Sequence, residues 1–201
     1  MVKPRGIFCI ETSQWTAQRR GQPSVVPLLR LIESIQGTPF IHRQFSTWEE
    51  LERLLGQVTR ASYRRYPIVY LACHGEMRRL ALRGKGSKNH VGRAVTIAEL
   101  AAPLHRRGAG KVILFSACSL MRGNDGELRK FVDDTGVRAI MGYERDVGWI
   151  ESAQLEVGLL ASLARSRIAD GKSLRAALAD LKSARDLMRD LEFRIVPRRA
   201  R

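Results

Sequence analysis

PIVYLACHG, residues 67–75, and VILFSACSL, residues 112–120, share one layout. Each opens with a short apolar run rich in β-branched residues and breaks off among small residues that flank a group with chemistry. Ile68–Cys73 and Val112–Phe115 therefore read as short, fully buried strands, the second bounded upstream by Gly108, Gly110 and Lys111. The first run ends in His74-Gly75, the second in Ser116-Ala117-Cys118-Ser119. Open α/β sheets carry ligands and chemistry at the C-terminal ends of their strands. A histidine and a cysteine at two such ends are candidates for one site.

On either side of these stretches strands and helices alternate, the pattern of a three-layer α/β domain with a mainly parallel sheet. Upstream, strands are predicted at Gly6–Glu11 and Pro39–Phe45, with a helix between them over Val25–Ile35 that stops before Gly37. Thr47 and Glu50 form a capping box ahead of a helix whose Leu51, Leu54, Leu55 and Val58 share a face. Between the two opening stretches, Arg78–Val95 reads as a hairpin or long loop above the sheet's C-terminal edge. Thr96 and Glu99 cap a short helix to about His105. Downstream come a helix from Asp125 stopped by Gly136, a strand at Arg138–Tyr143, and two long helices, Ile150–Arg165 and Ser173–Leu191, divided by Asp170-Gly171. The final apolar piece, FRIVP, suits an edge strand. No repeat or low-complexity linker divides the chain, so residues 1–201 are expected to form a single domain.

Composition narrows the class. A chain of 201 residues with 44% hydrophobic residues can bury a full core. No apolar run approaches the roughly 20 residues that span a bilayer, and the N-terminus lacks a secretory pattern, so no membrane association and a cytoplasmic location are expected. Three cysteines, Cys9, Cys73 and Cys118, offer no paired spacing for disulfides. The net charge of +15 is concentrated between Glu76 and Lys111, where nine basic residues face two acidic ones, and again at the C-terminus. Such an excess suits nucleic acid or another acidic partner as well as plain solvated surface.

A cysteine nucleophile needs a base to form thiolate near neutral pH and donors for the oxyanion of its intermediate. His74 and Cys118 meet the first need, and Gly75 lets backbone approach a carbonyl. The plain alternative is a buried structural cysteine and a histidine satisfied by backbone. Other chemistries fit less well. A phosphatase loop wants an arginine six residues after its cysteine, where this chain has Asn124. Zinc wants paired Cys or His, but Cys73 and His74 are neighbours on a strand and point to opposite faces. If His74 faces a site, Cys73 belongs to the core. No glycine-rich phosphate loop follows the first strand, and no cofactor or metal is expected. His42 reads as structural or surface, and His90 and His105 carry no clear role.

LACHG followed by LFSACSL resembles the caspase-like cysteine peptidases, especially the CHAT branch that includes separase. GYERDVGWIESAQLEVGLLASLA (142–164) and DGKSLRAALADLKSA (170–184) extend the resemblance over roughly Ile68 to Ala184. It implies a three-layer caspase-like sandwich, Cys118 as nucleophile, His74 as general base, and the backbone N–H groups of Gly75 and Cys118 as oxyanion hole. It also implies a dedicated protein substrate and a role in defence or cell death. The caspase Gln-Ala-Cys-x-Gly is here Ser116-Ala117-Cys118-Ser119-Leu120, so caspase specificity is not implied. Asp146, in the turn after the fifth predicted strand, stands where the resemblance to separase puts an acidic group that selects Arg or Lys; a helix cap is the alternative for it. Arg19 and Arg20 stand where caspases hold an acidic side chain, although a solvated loop explains them as well. Trp149 is a candidate wall of the substrate pocket and Ser116 a candidate substrate contact. The competing expectation is a catalytically silent caspase-like binding module for nucleic acid or an acidic protein.

Overall fold

The structure is a computed structural model and describes residues 4–16, 22–82, 92–168, 170–179, 181 and 184–199. Arg19, Arg20 and His90 lie outside the described residues, as do Arg83, Lys85 and Lys88 of the basic stretch.

The apolar runs do form the strands of one sheet. They are β1 (Ile7–Thr12), β2 (Phe40–Phe45), β3 (Ile68–Ala72), β7 (Val112–Ser116), β8 (Ala139–Tyr143) and β9 (Phe193–Pro197), in spatial order β2-β1-β3-β7-β8-β9. All neighbours are parallel except β8 and β9, so FRIVP is an antiparallel edge strand. A second, three-stranded antiparallel sheet rises after β3 from β4 (Gly75–Glu76), β5 (Arg79–Ala81) and β6 (Ala94–Thr96). It occupies the segment read as a hairpin or loop.

Residue alternation along the strands builds the two outer layers. Phe8, Ile10, Val69, Leu71, Cys73, Ile113 and Phe115 face α2 (Trp48–Val58), α3 (Ile97–Ala101) and α4 (Asp125–Thr135). The predicted stripe Leu51, Leu54, Leu55 and Val58 is buried there, and both capping boxes, Thr47–Glu50 and Thr96–Glu99, are formed. Ile7, Cys9, Tyr70, Ala72, Leu114 and Met141 face the other way, toward α1 (Val26–Gln36), α5 (Trp149–Arg165) and α6 (Gly171–Ala179). The fold is thus a three-layer α/β sandwich with a mixed, mainly parallel sheet. Among the described residues no helix is long and apolar enough to cross a membrane.

One expectation fails. The single helix predicted over Ser173–Leu191 is two helices, α6 and α7 (Ala184–Asp190). Leu174 and Ala177 pack with the inner half of α5 beneath the sheet, whereas Ala184 and Leu191 join Leu155, Leu159 and Tyr143 at its other end. The apolar spacing of the sequence runs on from one helix to the other without a break, so it does not mark where α6 ends.

Candidate active site

The last registered pair of β3 and β7 is Ala72 with Ser116. Two residues past each of these, beyond the ends of the strands at the sheet's C-terminal edge, come His74 and Cys118. Both are half-buried. Together with Ser116, Ala117, Val147, Trp149 and Ser152 they line a narrow cleft of about 60 Å³. Gly75 is required by this approach: a Cβ on it would stand 2.0 Å from the Cys118 carbonyl oxygen and 2.8 Å from its nitrogen. The Cys118 N–H makes no hydrogen bond among the described residues, so a donor is left beside the thiol.

Each reactive group is held by a backbone carbonyl rather than by the other. His74 Nε2 lies 2.5 Å from the Trp15 carbonyl oxygen. A carbonyl only accepts, so Nε2 carries a proton, and in the neutral tautomer this fixes, the lone pair is on Nδ1. The Cys118 thiol donates weakly to the Val147 carbonyl, at 3.8 Å. No hydrogen bond joins His74 to Cys118. Cys73 also borders the cleft, but its side chain is 2% exposed and belongs to the core on the α2–α4 side, where burial pushes its thiol pKa up; burial does the same to Cys9. Cys118 is thus the cysteine with solvent access.

The loop after Cys118 is tied along the turn after β8. Ser119 N–H donates to the Arg145 carbonyl and Met121 N–H to that of Tyr143. Ser119 takes a left-handed backbone, φ 53°, which is uncommon for a side-chain-bearing residue and persists only where surrounding contacts enforce it. The Ser119 hydroxyl supplies one such contact, donating to Asp146 at 2.5 Å. Asp146 is exposed and opens on a neighbouring hollow of about 490 Å³ shared with Ser119, Arg122, Glu144, Arg145 and Glu192, rather than on the narrow cleft. It does not cap α5. That N-terminus is Gly148, whose N–H donates to Glu151. Trp149 lines the cleft and packs edge-on against Trp15 with ring centroids 4.6 Å apart, and Trp15 does the same to His74 at 5.2 Å.

Two buried carboxyls behind the cleft escaped the sequence reading. Glu11, at the end of β1, is fully buried and accepts from Trp15 Nε1, Ser24 Oγ, the Val25 N–H and His42 Nε2 at 2.7–2.9 Å. Burial pushes its pKa up, but these bonds outweigh burial and hold it below the ordinary value. Glu11 thereby fixes Trp15, whose carbonyl orients His74, and gives His42 its role as a structural partner. Glu156 of α5 accepts from the Tyr70 and Tyr143 hydroxyls at 2.5 and 2.9 Å beneath the cleft floor. Among the described residues it pairs with no cation, and burial keeps its pKa raised despite hydrogen bonds from Tyr70, Ser116 and Tyr143. The available signals were a carboxylate closing an apolar strand and a tryptophan in a polar loop. His105 is exposed, and no three His, Cys, Asp or Glu side chains are grouped as a metal site among the described residues.

Residues 5–195 match a family of unknown function, DUF6642. The chain belongs to that family. No curated protein matches it. The match spans every strand of the central sheet except the last residues of β9, so the sheet ends that carry His74 and Cys118 both fall within it.

Proposed function

We propose that this DUF6642 chain is a caspase-like cysteine endopeptidase of the CHAT/separase type, acting through a His74–Cys118 dyad on a specific protein substrate. The observation that supports the reading is the shared cleft: a half-buried thiol and an imidazole both line it, each two residues past the last registered pair of adjacent parallel strands. In the proposed cycle Cys118 leaves the Val147 carbonyl and gives its proton to Nδ1 of His74. The thiolate attacks the scissile carbonyl, and the N–H groups of Gly75 and Cys118 receive the oxyanion. The imidazolium then protonates the departing amine, and water hydrolyses the thioester. Specificity for Arg or Lys before the cut is supported by the hollow beside Ser119, where Glu144, Asp146 and Glu192 gather alongside Arg122 and Arg145 and Glu144 is paired with Arg194. Of these, Asp146 and Glu192 have no ion-pair partner among the described residues, and a carboxylate pairs well with a guanidinium. Ser116 and Trp149 are the proposed substrate contacts of the cleft itself. The proposed setting is a regulated defence or cell-death pathway.

The competing reading is a non-catalytic binding module for nucleic acid or an acidic protein. It rests on the basic stretch between residues 76 and 111, which is divided in space. Arg78 and Arg93 pair with Glu127 and Glu99 near the second sheet, whereas Arg107 and Lys111 lie at the opposite end of the main sheet. Alkylation by iodoacetamide at neutral pH separates the two readings. A dyad requires Cys118 to react well ahead of Cys9 and Cys73, and requires His74→Ala to slow that reaction about tenfold. An unchanged rate in His74→Ala removes the dyad.

A further inference from the structure

A second hollow, of about 400 Å³, lies at the other end of the sheet, where β1, β7 and β8 begin. Arg5 precedes β1, Arg107 and Lys111 precede β7, Arg138 precedes β8, and Arg60 and Arg64 follow α2; all six line it, and no carboxylate does. Among the described residues none of the six is in an ion pair. Lys111 is anchored, donating to the carbonyls of Tyr63 and Tyr66, and burial lowers its pKa to about 8. Arg107 and Arg138 each spend one N–H on a backbone carbonyl, of Pro103 and Ile168. The side chains of Arg5, Arg60 and Arg64 make no hydrogen bond among the described residues, which leaves five N–H donors on each. Burial, reinforced by the charges of Arg5 and Arg167, lowers the Arg138 pKa. Like charges gathered in a partly desolvated concavity repel each other unless an anion joins them.

We propose that this hollow binds a compact polyanion with two or more phosphate groups, free or carried by a nucleoside, through Arg5, Arg60, Arg64 and Arg138. The guanidinium fork matches phosphate oxygens in pairs, and the volume falls within the usual range for small-ligand sites, roughly 300–1,000 Å³. Several cations converging on one concavity ask for more than a single phosphate. No aromatic side chain lines the hollow, so the stacking platforms of single-stranded nucleic-acid sites are absent from its lining. The ligand is therefore a compact molecule recognised by its phosphates.

The test is calorimetric titration of the full chain with inorganic tripolyphosphate and, separately, with ATP, at about 150 mM salt so that diffuse surface charge is screened. One-to-one binding is expected, with Kd raised at least about tenfold in the Arg60→Ser/Arg64→Ser double variant. The double variant Arg43→Ser/Arg189→Ser removes the same charge from exposed positions elsewhere and should stay within about threefold. Equal affinity for the two ligands assigns recognition to phosphates alone; tighter ATP assigns the source to a nucleotide. Equal losses in both double variants, no binding at millimolar ligand, or tight binding of a 12-nucleotide single strand that ignores Arg60 and Arg64 would each overturn the proposal. Cys118→Ala is expected to bind as the wild type does, so the outcome is independent of the peptidase reading.

Discussion

At the C-terminal ends of β1, β3 and β7 the buried ionisable groups are each spoken for. Glu11 accepts four hydrogen bonds, one of them from His42, and Glu156 accepts two from phenols. At the N-terminal end of the same sheet six cations line a wider hollow with no counter-charge among the described residues that line it. A buried charge with its partners in place is architecture: it fixes a loop, here the Trp15 loop that holds His74. A set of charges gathered without partners holds electrostatic repulsion that a ligand can relieve. The two carboxyls draw the same contrast on a smaller scale. Glu11, with a potential cation and several donors, sits below its ordinary pKa; Glu156, buried with neutral donors alone, sits above it.

The contrast between the two ends is tested most severely at the cysteines. Cys118→Ala should cost at least about 10³-fold in cleavage of Arg- or Lys-containing peptides, while Cys73→Ala, on the far face, should leave turnover within about threefold. Equal losses would show that the thiol's place in the cleft is irrelevant.

Next comes Glu11→Gln, which turns one acceptor oxygen into a donor facing donors and should cost about 3 kcal/mol in urea unfolding. Because folding lowers the Glu11 pKa, its contribution is present above the ordinary carboxylate value of 4.5 and is lost as pH falls through the folded value. The gap in stability between wild type and Glu11→Gln should therefore narrow on acidification; a gap independent of pH would deny Glu11 its ionised role.

Asp146→Asn keeps an acceptor for Ser119 but removes the charge, and should lower selectivity for Arg or Lys over leucine by about tenfold, worth roughly 1.4 kcal/mol. If Asp146→Ala loses turnover on all peptides while the Asn variant is normal, the residue serves only the Ser119 backbone.

The smallest effect is at Tyr70→Phe, about 1 kcal/mol for one lost hydrogen bond. Glu156 has a raised pKa, so folding benefits from its protonated form below the ordinary value and loses that benefit as pH rises through the folded value. Loss of one phenol should steepen that decline, in the direction opposite to the Glu11 variant.

Much of this architecture was legible because local rules and packing agree. The apolar runs at 68–73 and 112–115 formed neighbouring strands, the two capping boxes formed where Ser/Thr and Glu stood three apart, and Cys73 and His74 took opposite sides as strand alternation requires. Asp146 was legible only as a position. Its bond to Ser119 joins residues 27 apart in the chain, and no local pattern encodes such a bond.

The strand–helix alternation, the inward stripes of the helices, and the arrival of His74 and Cys118 just past strand ends were set locally, since each follows from periodicity within a few residues. Which carbonyls hold the imidazole and the thiol, where α6 packs as against α7, and which cations share a hollow follow from the assembled fold. These depend on strand order: Arg5, Arg64, Lys111 and Arg138 lie far apart along the chain and meet because β1, β3, β7 and β8 lie side by side in parallel.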